Sequence, residues 1–439
     1  GFFIIHNPYP LILSNRTLSL INSVVDNQPL NGYNSPMIRR NITQNVLDAL
    51  ADTPVVLING ARQTGKSTLA KSIAEKTHPA RYITLDTASV LAAVRNDAPG
   101  FLAGLDGAVV IDEVQKAPEL FSAIKAGVDH QRRPGKYLLT GSANVLLVPN
   151  LSESLAGRME ILTLWPFSQG ELTAHKETFV DKLYENKIPF KNYPPELPLS
   201  LQDRIINGGY PEVQNRVKEE RRQAWFESYM TTILQRDIRD IANIDGLTSL
   251  PRLLAVIAAR SPALLNFAEL SRSLAIPQST LKRYMTLLEA TFLIQHVSAW
   301  SGNFTKRLVK TSKIVMSDTG LMAHLIGLNK QRLETGAMIE PLFENFVIME
   351  LKKQITWSDV KPQMFHFRTQ AGQEVDIVLE DRSGNLVGIE VKASATVHAH
   401  DFKGLKVLAE ATGGLFRRGI VLYTGTEIIP FGESLTALP

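Results

Sequence analysis

The sequence predicts an α/β protein in which a parallel β-sheet with flanking helices precedes two smaller modules. Three observations support this prediction. Strand-like and helix-like segments alternate over residues 55–164, a helix–turn–helix pattern with two following strands occupies residues 262–316, and a hairpin with one charged face lies within residues 374–392. Regular alternation of strands and helices is typical of a parallel sheet, because each helix returns the chain to the same edge.

Five short apolar segments form the predicted parallel sheet. The strands lie near residues 55–58, 81–85, 108–112, 136–140 and 159–164, after a lead-in helix over residues 37–52. Their near-continuous apolar character is expected of strands that are buried on both faces. The carboxyl ends of all five strands should therefore meet at one edge, where ligands of open α/β sheets bind.

A glycine-containing loop joins the first strand to the next helix and matches G-x-x-x-x-G-K-[ST] at every fixed position. Its glycines let backbone N–H groups turn toward an anion, and the helix N-terminus adds partial positive charge. Lys66 is placed to reach the β- and γ-phosphates, and the Ser67 hydroxyl to bind Mg²⁺. The loop predicts a P-loop NTPase fold with ATP and Mg²⁺ as cofactors. The predicted nucleotide-binding residues of the loop are Gly60, Ala61, Arg62, Gln63, Thr64, Gly65, Lys66, Ser67 and Thr68.

Two carboxylates, Asp112 and Glu113, end the third predicted strand directly after apolar residues. We expect Asp112 to bind nucleotide-associated Mg²⁺. We expect Glu113 to orient and deprotonate the attacking water. Together with the phosphate loop, this pair predicts hydrolysis of ATP as well as binding.

Polar residues near the fourth and fifth strands are further candidates. Thr140, Ser142 and Asn144 are placed to contact the γ-phosphate, and an ordinary strand-terminating turn explains them equally well. Arg158, just before the fifth strand, is a candidate arginine finger in cis or in trans, with a solvated arginine as the alternative. A finger in trans requires a homo-oligomer.

The composition is ordinary for a globular chain of two to four domains, with 439 residues, 44% hydrophobic and 21% charged. Cysteine is absent, which excludes disulfides and thiolate metal sites and favours a reducing cytoplasm. A net charge of +4 permits nucleic-acid binding without requiring it. No membrane partner is expected, because Pro and Arg residues interrupt the long apolar stretch at 250–267. We interpret residues 1–36 as an extension before a natural start at Met37, without an assigned function.

The middle of the chain predicts a winged-helix module within residues 246–330, after a helical linker region at 176–245. Two short helices flank a turn at 275–277, and strands follow at 292–297 and 314–316. DNA contact by the outer face of the second helix and use of the module for domain packing are equally weighted alternatives. The predicted core residues of that helix are Leu281, Tyr284, Met285, Leu287 and Leu288. Its predicted outer face carries Gln278, Ser279, Lys282, Arg283 and Thr286. The basic residues between the strands are Lys306, Arg307, Lys310 and Lys313.

The C-terminal hairpin carries four charged residues on one face. If its turn is centred on Ser383, Asp376 lies opposite Glu390 and Glu374 lies opposite Lys392. Side chains alternate along a strand, so all four project from the same face. The sequence therefore predicts three carboxylates and a lysine on one face of the hairpin.

This D…E-x-K arrangement predicts an α/β restriction-endonuclease-like domain over residues 331–439. Asp376 and Glu390, joined by Glu344 of the preceding helix, are the candidate metal ligands and catalytic carboxylates. Lys392 would position a water or stabilise charge on a scissile phosphate. Glu340 and Glu350 are alternatives to the helix carboxylate.

An ordinary solvated hairpin explains the same charges without catalysis. In that interpretation Glu374 and Lys392 form a cross-strand ion pair, worth under ~1 kcal/mol. The pair His398 and His400 resembles metal ligands, but we interpret it as surface because no further ligands cluster around it in the sequence.

The motifs as a set resemble a prokaryotic family of AAA-type P-loop ATPases whose C-terminal half is a domain of unknown function. The resemblance covers about residues 37–425. It implies an ATPase core at 37–175, then the winged-helix and nuclease-like parts. The motifs that carry it are the phosphate loop, residues 110–115, Leu139-Thr140-Gly141-Ser142, Gly157-Arg158, Gly208-Gly209-Tyr210-Pro211, Ser317-Asp318-Thr319-Gly320-Leu321, Phe343-Glu344-Asn345-Phe346-Val347, Glu374-Val375-Asp376 and Glu390-Val391-Lys392.

Two functions are compatible with these predictions. The first is a Mg²⁺-dependent ATPase that couples its nucleotide state to DNA binding, with metal-dependent DNA cleavage as a further activity of the C-terminal domain. The alternative is an ATP-driven switch that binds a protein partner and carries an inactive nuclease-like scaffold.

Overall fold

The protein folds around two β-sheets. The computed structural model describes residues 38–142, 155–186, 199–238, 247–303, 305, 307, 310–336 and 338–439. Within these ranges one sheet has five strands and the other has nine. Residues 1–36, interpreted as an extension, and Asn144, a candidate phosphate contact, lie outside the described residues.

The five-stranded sheet is parallel throughout, with the order β2-β3-β4-β1-β5. The five predicted strands are confirmed to within one or two residues at each end. Because β1 lies between β4 and β5, the loop after β1 is next to the ends of both neighbours. The strands are β1 Val55–Asn59, β2 Arg81–Thr84, β3 Val109–Asp112, β4 Tyr137–Gly141 and β5 Met159–Thr163.

Helices cover both faces of this sheet, and the alternation along β1 shows why. Val55 and Leu57 belong to one apolar core, whereas Val56 and Ile58 belong to the core on the opposite face. Each face of the strand is therefore buried by a separate helical layer. The helices are α1 Thr43–Asp52, α2 Lys66–Lys76, α3 Ala88–Asn96, α4 Ala98–Ala103 and α5 Glu119–His130.

A helical region follows and packs into one large apolar core with the C-terminal half. This core extends from Ala61 through Tyr210 and Leu253 to Ile389 and Leu438. The helical region contributes α6 Gln169–Leu172, α7 Phe179–Lys182, α8 Leu201–Asn207, α9 Pro211–Gln214, α10 Glu219–Thr232 and α11 Leu250–Arg260.

The nine-stranded sheet joins the two modules that the sequence suggested were separate. Its order is β13-β14-β12-β11-β10-β9-β7-β8-β6. The junction is a short parallel pairing in which Ser298 lies opposite Phe365. The expected boundary near residue 330 therefore does not separate two sheets. The strands are β6 Ala263–Leu264, β7 Ile294–Ala299, β8 Lys313–Met316, β9 Gln363–Arg368, β10 Glu374–Glu380, β11 Leu386–Lys392, β12 Phe416–Tyr423, β13 Ile429–Pro430 and β14 Leu435–Leu438. The helices are α12 Phe267–Leu274, α13 Gln278–Ala290, α14 Thr319–Leu325, α15 Lys330–Glu334, α16 Ile339–Ile355 and α17 Lys403–Thr412.

Helix α13 has the two faces that the sequence predicted. The five predicted core residues, Leu281 to Leu288, are buried. The five predicted outer residues, Gln278 to Thr286, are exposed. The 3.6-residue period of the apolar positions was sufficient for this prediction, because the helix lies on one core.

The hairpin of β10 and β11 has the predicted register. Ile377 lies opposite Ile389, and Glu380 lies opposite Leu386, so the pairing is centred on Ser383. Asp381 stabilises the turn by accepting hydrogen bonds from Ser383 N and Asn385 N at 2.8 Å each.

Two of the sequence motifs hold each other in place. Asp318 lies before α14, is 3% exposed, and accepts a 2.7 Å hydrogen bond from Gly209 N and a 2.9 Å bond from Leu321 N. A Cβ at Gly208, where φ is +63°, would lie 2.2 Å from Asp318 Oδ1. The double glycine therefore allows the close approach of a buried carboxylate.

We expect Gly208→Ala to destabilise the protein more than Gly327→Ala. Both positions have a positive φ, +63° at Gly208 and +64° at Gly327, and among the described residues no heavy atom other than those of its chain neighbours lies within 4 Å of a Cβ built at Gly327. Each change should cost about 1 kcal/mol for the positive φ. Gly208→Ala should cost about 1–3 kcal/mol more, because Asp318 loses its hydrogen-bonded position. Denaturant unfolding compares the two, and equal midpoints would contradict this role of Gly208.

Candidate functional site

The phosphate loop is shaped by its two glycines. Gly60 has φ +143° and Gly65 has φ +92°, values that L side chains rarely adopt. A Cβ at Gly60 would lie 2.2 Å from the Leu164 carbonyl oxygen. Gly60 is therefore required by close packing against the segment after β5, and Gly65 by the turn into α2.

Lys66 lies across this loop. Its Nζ donates to the carbonyl oxygens of Gly60 at 3.0 Å and Ala61 at 2.7 Å, and the residue is 5% exposed. The ammonium group therefore faces the concave side of the loop. This is the position from which a P-loop lysine reaches phosphate oxygens.

Ser67 and Asp112 meet at the carboxyl ends of the strands, as predicted. Ser67 Oγ donates to Asp112 Oδ1 at 2.8 Å. Tyr82 on β2 donates to Asp112 Oδ2 at 2.7 Å, and Thr140 also donates to this carboxylate. Burial, together with the hydrogen bond to Asp112, raises the pKa of the Tyr82 hydroxyl, which therefore remains a donor. A hydroxyl and a carboxylate beside the phosphate loop are the donor set that Mg²⁺ requires, so the residues fit this ion.

Tyr82 was not identified from the sequence. Its position on β2 gives no local signal, because only the parallel pairing of Thr84 with Asp112 brings the two strand ends together. An aromatic residue in a short apolar strand is usually a core residue.

Glu113 lies next to the end of β4. Its backbone N donates to Thr140 Oγ1 at 3.2 Å, and Ser142 Oγ lies 3.4 Å from Glu113 Oε2. Gln115 contacts both side chains and donates to Ser142 Oγ at 2.9 Å. The predicted neighbourhood of Glu113, Thr140 and Ser142 is therefore present, and Gln115 is a further member that sequence reasoning did not assign.

Arg158 lies at the opposite edge of the sheet from the phosphate loop. It directly precedes β5, and its carbonyl oxygen accepts from Val55 N at the start of β1. Its side chain binds Asp129 Oδ1 at 2.5 Å and the Ala156 carbonyl at 3.0 Å. The strand length, about 15 Å for five residues, separates it from the loop after β1. The expectation of an arginine finger in cis is therefore wrong, and a finger in trans stays a prediction.

The charged face of the C-terminal hairpin forms the floor of a cleft of about 420 Å³. Glu374, Asp376, Glu390 and Lys392 all line it, as the register predicts. Asp376 Oδ2 accepts from Val391 N at 3.0 Å, which fixes this carboxylate across the hairpin. His400 and Lys403 line the same cleft, and both are exposed, so the interpretation of His400 as a surface residue is confirmed.

Lys313 is the residue that the sequence interpretation misplaced. It was grouped with the basic residues of the wing, but it is 3% exposed and lies among carboxylates. Its Nζ lies 2.7 Å from Glu344 Oε1, 3.2 Å from Glu374 Oε1 and 3.7 Å from Asp376 Oδ1. Burial lowers the pKa of Lys313, but the charges of Glu344 and Asp376 outweigh this and raise it overall. The ammonium group is a built-in cation in this cluster.

A second basic residue of the wing is also paired. Arg307 donates to both carboxylate oxygens of Glu380, at 2.5 and 2.9 Å. Arg307 and Lys313 therefore bind the C-terminal strands, so neither supplies the free positive charge that was expected for DNA contact. Of the other two, Lys306 lies outside the described residues and Lys310 is exposed.

The carboxylates of the cluster have unusual pKa values. Burial and the nearby charge of Asp376 raise the pKa of Glu344 to about 7, even though Lys313 lowers it. Burial and Asp376 raise the pKa of Glu390 to about 10, against a lowering by Lys392. Lys392 Nζ lies 3.6 Å from Glu390 Oε2. Both carboxyl groups, of Glu344 and of Glu390, therefore hold a proton to higher pH than an exposed glutamate does.

The predicted metal ligands Glu344, Asp376 and Glu390 do not form a ready metal site. Within the described ranges, no group of three or more His, Cys, Asp or Glu side chains is arranged to hold a metal ion. Glu344 on α16 lies close enough to Asp376 for the charge of Asp376 to raise its pKa, but its side chain binds Lys313. Glu350, the alternative considered from the sequence, accepts instead from Gln169 N at 2.9 Å. The alternative was a cross-strand ion pair between Glu374 and Lys392. In the structure Glu374 instead contacts Lys313 and Arg368.

Comparison with protein families supports the ATPase part of this description. Residues 52–173 match the AAA domain family. Residues 199–332 and 340–439 match two domain families of unknown function. Residues 52–173 thus carry an AAA domain of the P-loop ATPase type, which supports binding and hydrolysis of ATP, with Mg²⁺ as the usual cofactor of such domains.

Known relatives cover most of the chain. The uncharacterized proteins Rv2008c of Mycobacterium tuberculosis and Mb2031c of Mycobacterium bovis are each 29% identical over 405 residues, covering 91% of this chain and 83% of theirs. An uncharacterized protein of Haemophilus influenzae is 26% identical over 227 residues, 49% of this chain and 51% of that protein.

Solved structures give a weaker comparison. A RuvB variant of Thermotoga maritima has a TM-score of 0.29 and 19% identity, covering 58% of this chain and 89% of that one. A DNA replication initiation factor has a TM-score of 0.26 and 10% identity, covering 78% and 96%. Scores this low carry no conclusion about function. In the part of the chain that the structure describes, no helix is long and apolar enough to cross a bilayer.

We expect Glu390→Gln to become increasingly stable relative to the wild type as pH rises from 5 to 9. The pKa of Glu390 is raised to about 10 in the folded protein, whereas an unfolded Glu titrates near 4.3. The folded state thus binds the extra proton in this window, and its stability falls as pH rises. The slope is at most about 1.4 kcal/mol per pH unit.

Denaturant unfolding at several pH values measures this difference. Glu410→Gln, at an exposed position of α17, is the control, and its difference from the wild type should stay constant. A pH-independent difference for Glu390→Gln would contradict a protonated Glu390.

Proposed function

We propose that this protein binds and hydrolyses ATP with Mg²⁺ and couples its nucleotide state to DNA binding. The observation that carries the proposal is the 2.8 Å contact between Ser67 and Asp112, with Glu113 beside it, at the carboxyl ends of the parallel strands. The AAA match over residues 52–173 supports the same activity.

The residues have separate tasks in this proposal. The backbone of the phosphate loop and Lys66 bind the phosphates, and Ser67 and Asp112 would hold Mg²⁺. This ion, when bound, neutralises charge on the phosphate oxygens. Glu113 orients the attacking water and accepts its proton, while Gln115 and Ser142 keep the Glu113 side chain in position.

DNA binding is assigned to the exposed face of α13. This face presents Gln278, Ser279, Lys282, Arg283 and Thr286. Helix α13 follows α12 and a turn, and the nearby strands β6, β8 and β7 pair in antiparallel orientation. Helices in this arrangement contact base edges and phosphates in winged-helix proteins. We propose that nucleotide state controls the access of DNA to this face.

Cleavage of DNA by the C-terminal cleft is the finer part of the proposal. The cleft combines an acidic floor with Lys392, His400 and Lys403. Metal-dependent cleavage of a phosphodiester uses a bound cation that stabilises negative charge on the phosphate, and carboxylates are suitable ligands for such a cation. Asp376 and Glu390 would serve as the ligands and Lys392 as the catalytic lysine.

One observation favours the second candidate function, an ATP-driven switch that binds a protein partner. The ammonium group of Lys313 already contacts Glu344, Glu374 and Asp376, so the cluster contains a cation of its own. In that case the nuclease-like domain is a scaffold.

We expect Lys66→Ala to lose ATP binding, because the loop loses its cation for the β- and γ-phosphates. Glu113→Gln should still bind ATP but hydrolyse it at least about 10²-fold more slowly, because the water loses its base. Fluorescent-nucleotide titration and phosphate release measure the two properties. Glu119→Gln, an exposed residue six positions later, is the control. Wild-type turnover by Glu113→Gln would remove its assigned role.

We expect the double change Lys282→Ala/Arg283→Ala to weaken DNA binding, because two phosphate contacts are lost. The slope of log K against the logarithm of the salt concentration should fall in magnitude by about 2. Titrations of duplex DNA at several salt concentrations, with and without ATP, measure this. Lys76→Ala, an exposed residue of the ATPase domain, is the control. Equal loss in both variants would indicate a general charge effect.

The same DNA incubated with Mg²⁺ or Mn²⁺ tests cleavage. If the wild type cleaves DNA and Lys392→Ala does not, nuclease activity is assigned to the C-terminal cleft. ATP turnover without cutting and without nucleotide-dependent DNA binding would favour the protein-binding switch.

A further inference from the structure

A buried arginine connects the phosphate loop with the C-terminal half. Arg40 precedes α1, lies outside the three matched families, and is 8% exposed. Its guanidinium donates to Thr64 O at 2.6 Å, to Trp165 O at 2.6 Å and to Glu171 Oε1 at 3.1 Å. It also stacks over the Phe167 ring, with 4.7 Å between Cζ and the ring centroid.

The contact with Thr64 acts on the anion-binding part of the loop. In a trans peptide the C=O and the following N–H point in opposite directions. A guanidinium that holds the Thr64 carbonyl from outside therefore directs the Gly65 N–H toward the inside of the loop. Preorganised backbone N–H groups are the donors that such a loop offers to phosphate. Arg40 thus contacts the backbone of the phosphate loop and is placed to orient its N–H donors.

The other contacts of Arg40 lead to the segment after β5. Glu171 also accepts from Asn41 N at 2.7 Å and from Ser168 N at 3.1 Å, so this carboxylate fixes the start of α6. Burial lowers the pKa of Arg40, and the charge of Glu171 opposes this. Breaking one contact of this buried ion pair would leave a buried charge without its partner, which costs free energy. The contacts of Arg40 and Glu171 are therefore expected to change together.

The same segment is held by α16 on its other side. Lys353 Nζ donates to Phe167 O at 2.9 Å and to Glu350 Oε1 at 2.6 Å, while Gln169 N donates to Glu350 Oε2 at 2.9 Å. Both α16 residues are buried, at 9% for Glu350 and 5% for Lys353. Helix α16 also carries Glu344, the partner of Lys313 in the carboxylate cluster. About two helical turns of α16 separate Glu344 from Glu350 and Lys353.

We infer that Arg40 is a positioning residue of the nucleotide site and that the buried polar chain from Arg40 through Glu171 to Glu350 and Lys353 transmits nucleotide binding to α16. The inference rests on the proposed function, because it requires that the phosphate loop binds ATP. Occupation of the loop changes the contacts of Lys66 with the Gly60 and Ala61 carbonyls. Arg40 passes this change to the segment 165–169, and Lys353 passes it to the helix that carries Glu344.

The first test is the affinity for ATP. Arg40→Lys keeps the charge but loses the fork of donors, so KM for ATP should rise about tenfold or more while kcat changes by less than about twofold. Arg39→Gln, the exposed neighbour, is the control and should match the wild type. An unchanged KM in folded Arg40→Lys would overturn the positioning role, and an equal loss of kcat would assign a different one.

The second test is hydrogen exchange with and without a non-hydrolysable ATP analogue. In the wild type the analogue should change amide exchange in residues 339–355. In Lys353→Met, which leaves the loop and Arg40 intact, the analogue should still bind and slow exchange in residues 60–68, but its effect on 339–355 should be lost. An unchanged response of α16 in this variant would overturn the transmission, even if the Arg40 variants do not fold.

The two proposals fail in different ways. A wild-type protein that binds no nucleotide would overturn the proposed function and this inference together. A wild-type protein that binds ATP with no response in residues 339–355 would overturn the inference alone.

Discussion

The structure depends on helix α16, whose side chains are mostly buried or half-buried. Its apolar residues belong to or pack against the large core, and three of its buried polar residues, Asn345, Glu350 and Lys353, bond to neighbouring elements. Gln354 Oε1, by contrast, is buried without a hydrogen-bond partner among the described residues. Asn345 exchanges 2.9 Å hydrogen bonds with both backbone groups of Met316 on β8 and also accepts from Ser261. Unpaired polar groups would be costly at this depth, so these contacts determine which elements are able to lie beside the helix.

This largely buried helix explains why the middle and C-terminal modules are not independent. The β7–β9 pairing makes one sheet of both, and Lys313 and Arg307 direct their charges into the C-terminal strands. Charged side chains that neutralise each other inside a junction contribute specificity of arrangement more than net stability. Arg307 and Lys313 therefore join the β7–β8 region to the C-terminal half, while exposed basic residues lie on α13 and at Lys310.

The sequence predicted the local parts of the site well and the long-range parts poorly. The phosphate loop, the strand ends at Asp112 and the hairpin register each depend on residues that are close in sequence, or on the periodicity of one element. Arg158 was assigned to the site because of its neighbours in the motif, but a residue before a parallel strand lies at the edge opposite the ligand. Tyr82 was missed because strand pairing alone brings it to Asp112. Gln115 lies only two residues after Glu113, but its contact with Ser142 depends on the pairing of β3 with β4.

By itself the sequence determined a parallel sheet with a phosphate loop, the two faces of α13 and a charged hairpin face. The reason is that backbone conformation and side-chain period follow from short segments. Only the tertiary structure decided the charge pairing. Lys313 meets Glu344 from 31 residues away, and Arg40 meets Glu171 from 131 residues away. A buried charge takes whichever opposite charge the packing brings within reach, and no local pattern in the chain specifies that partner.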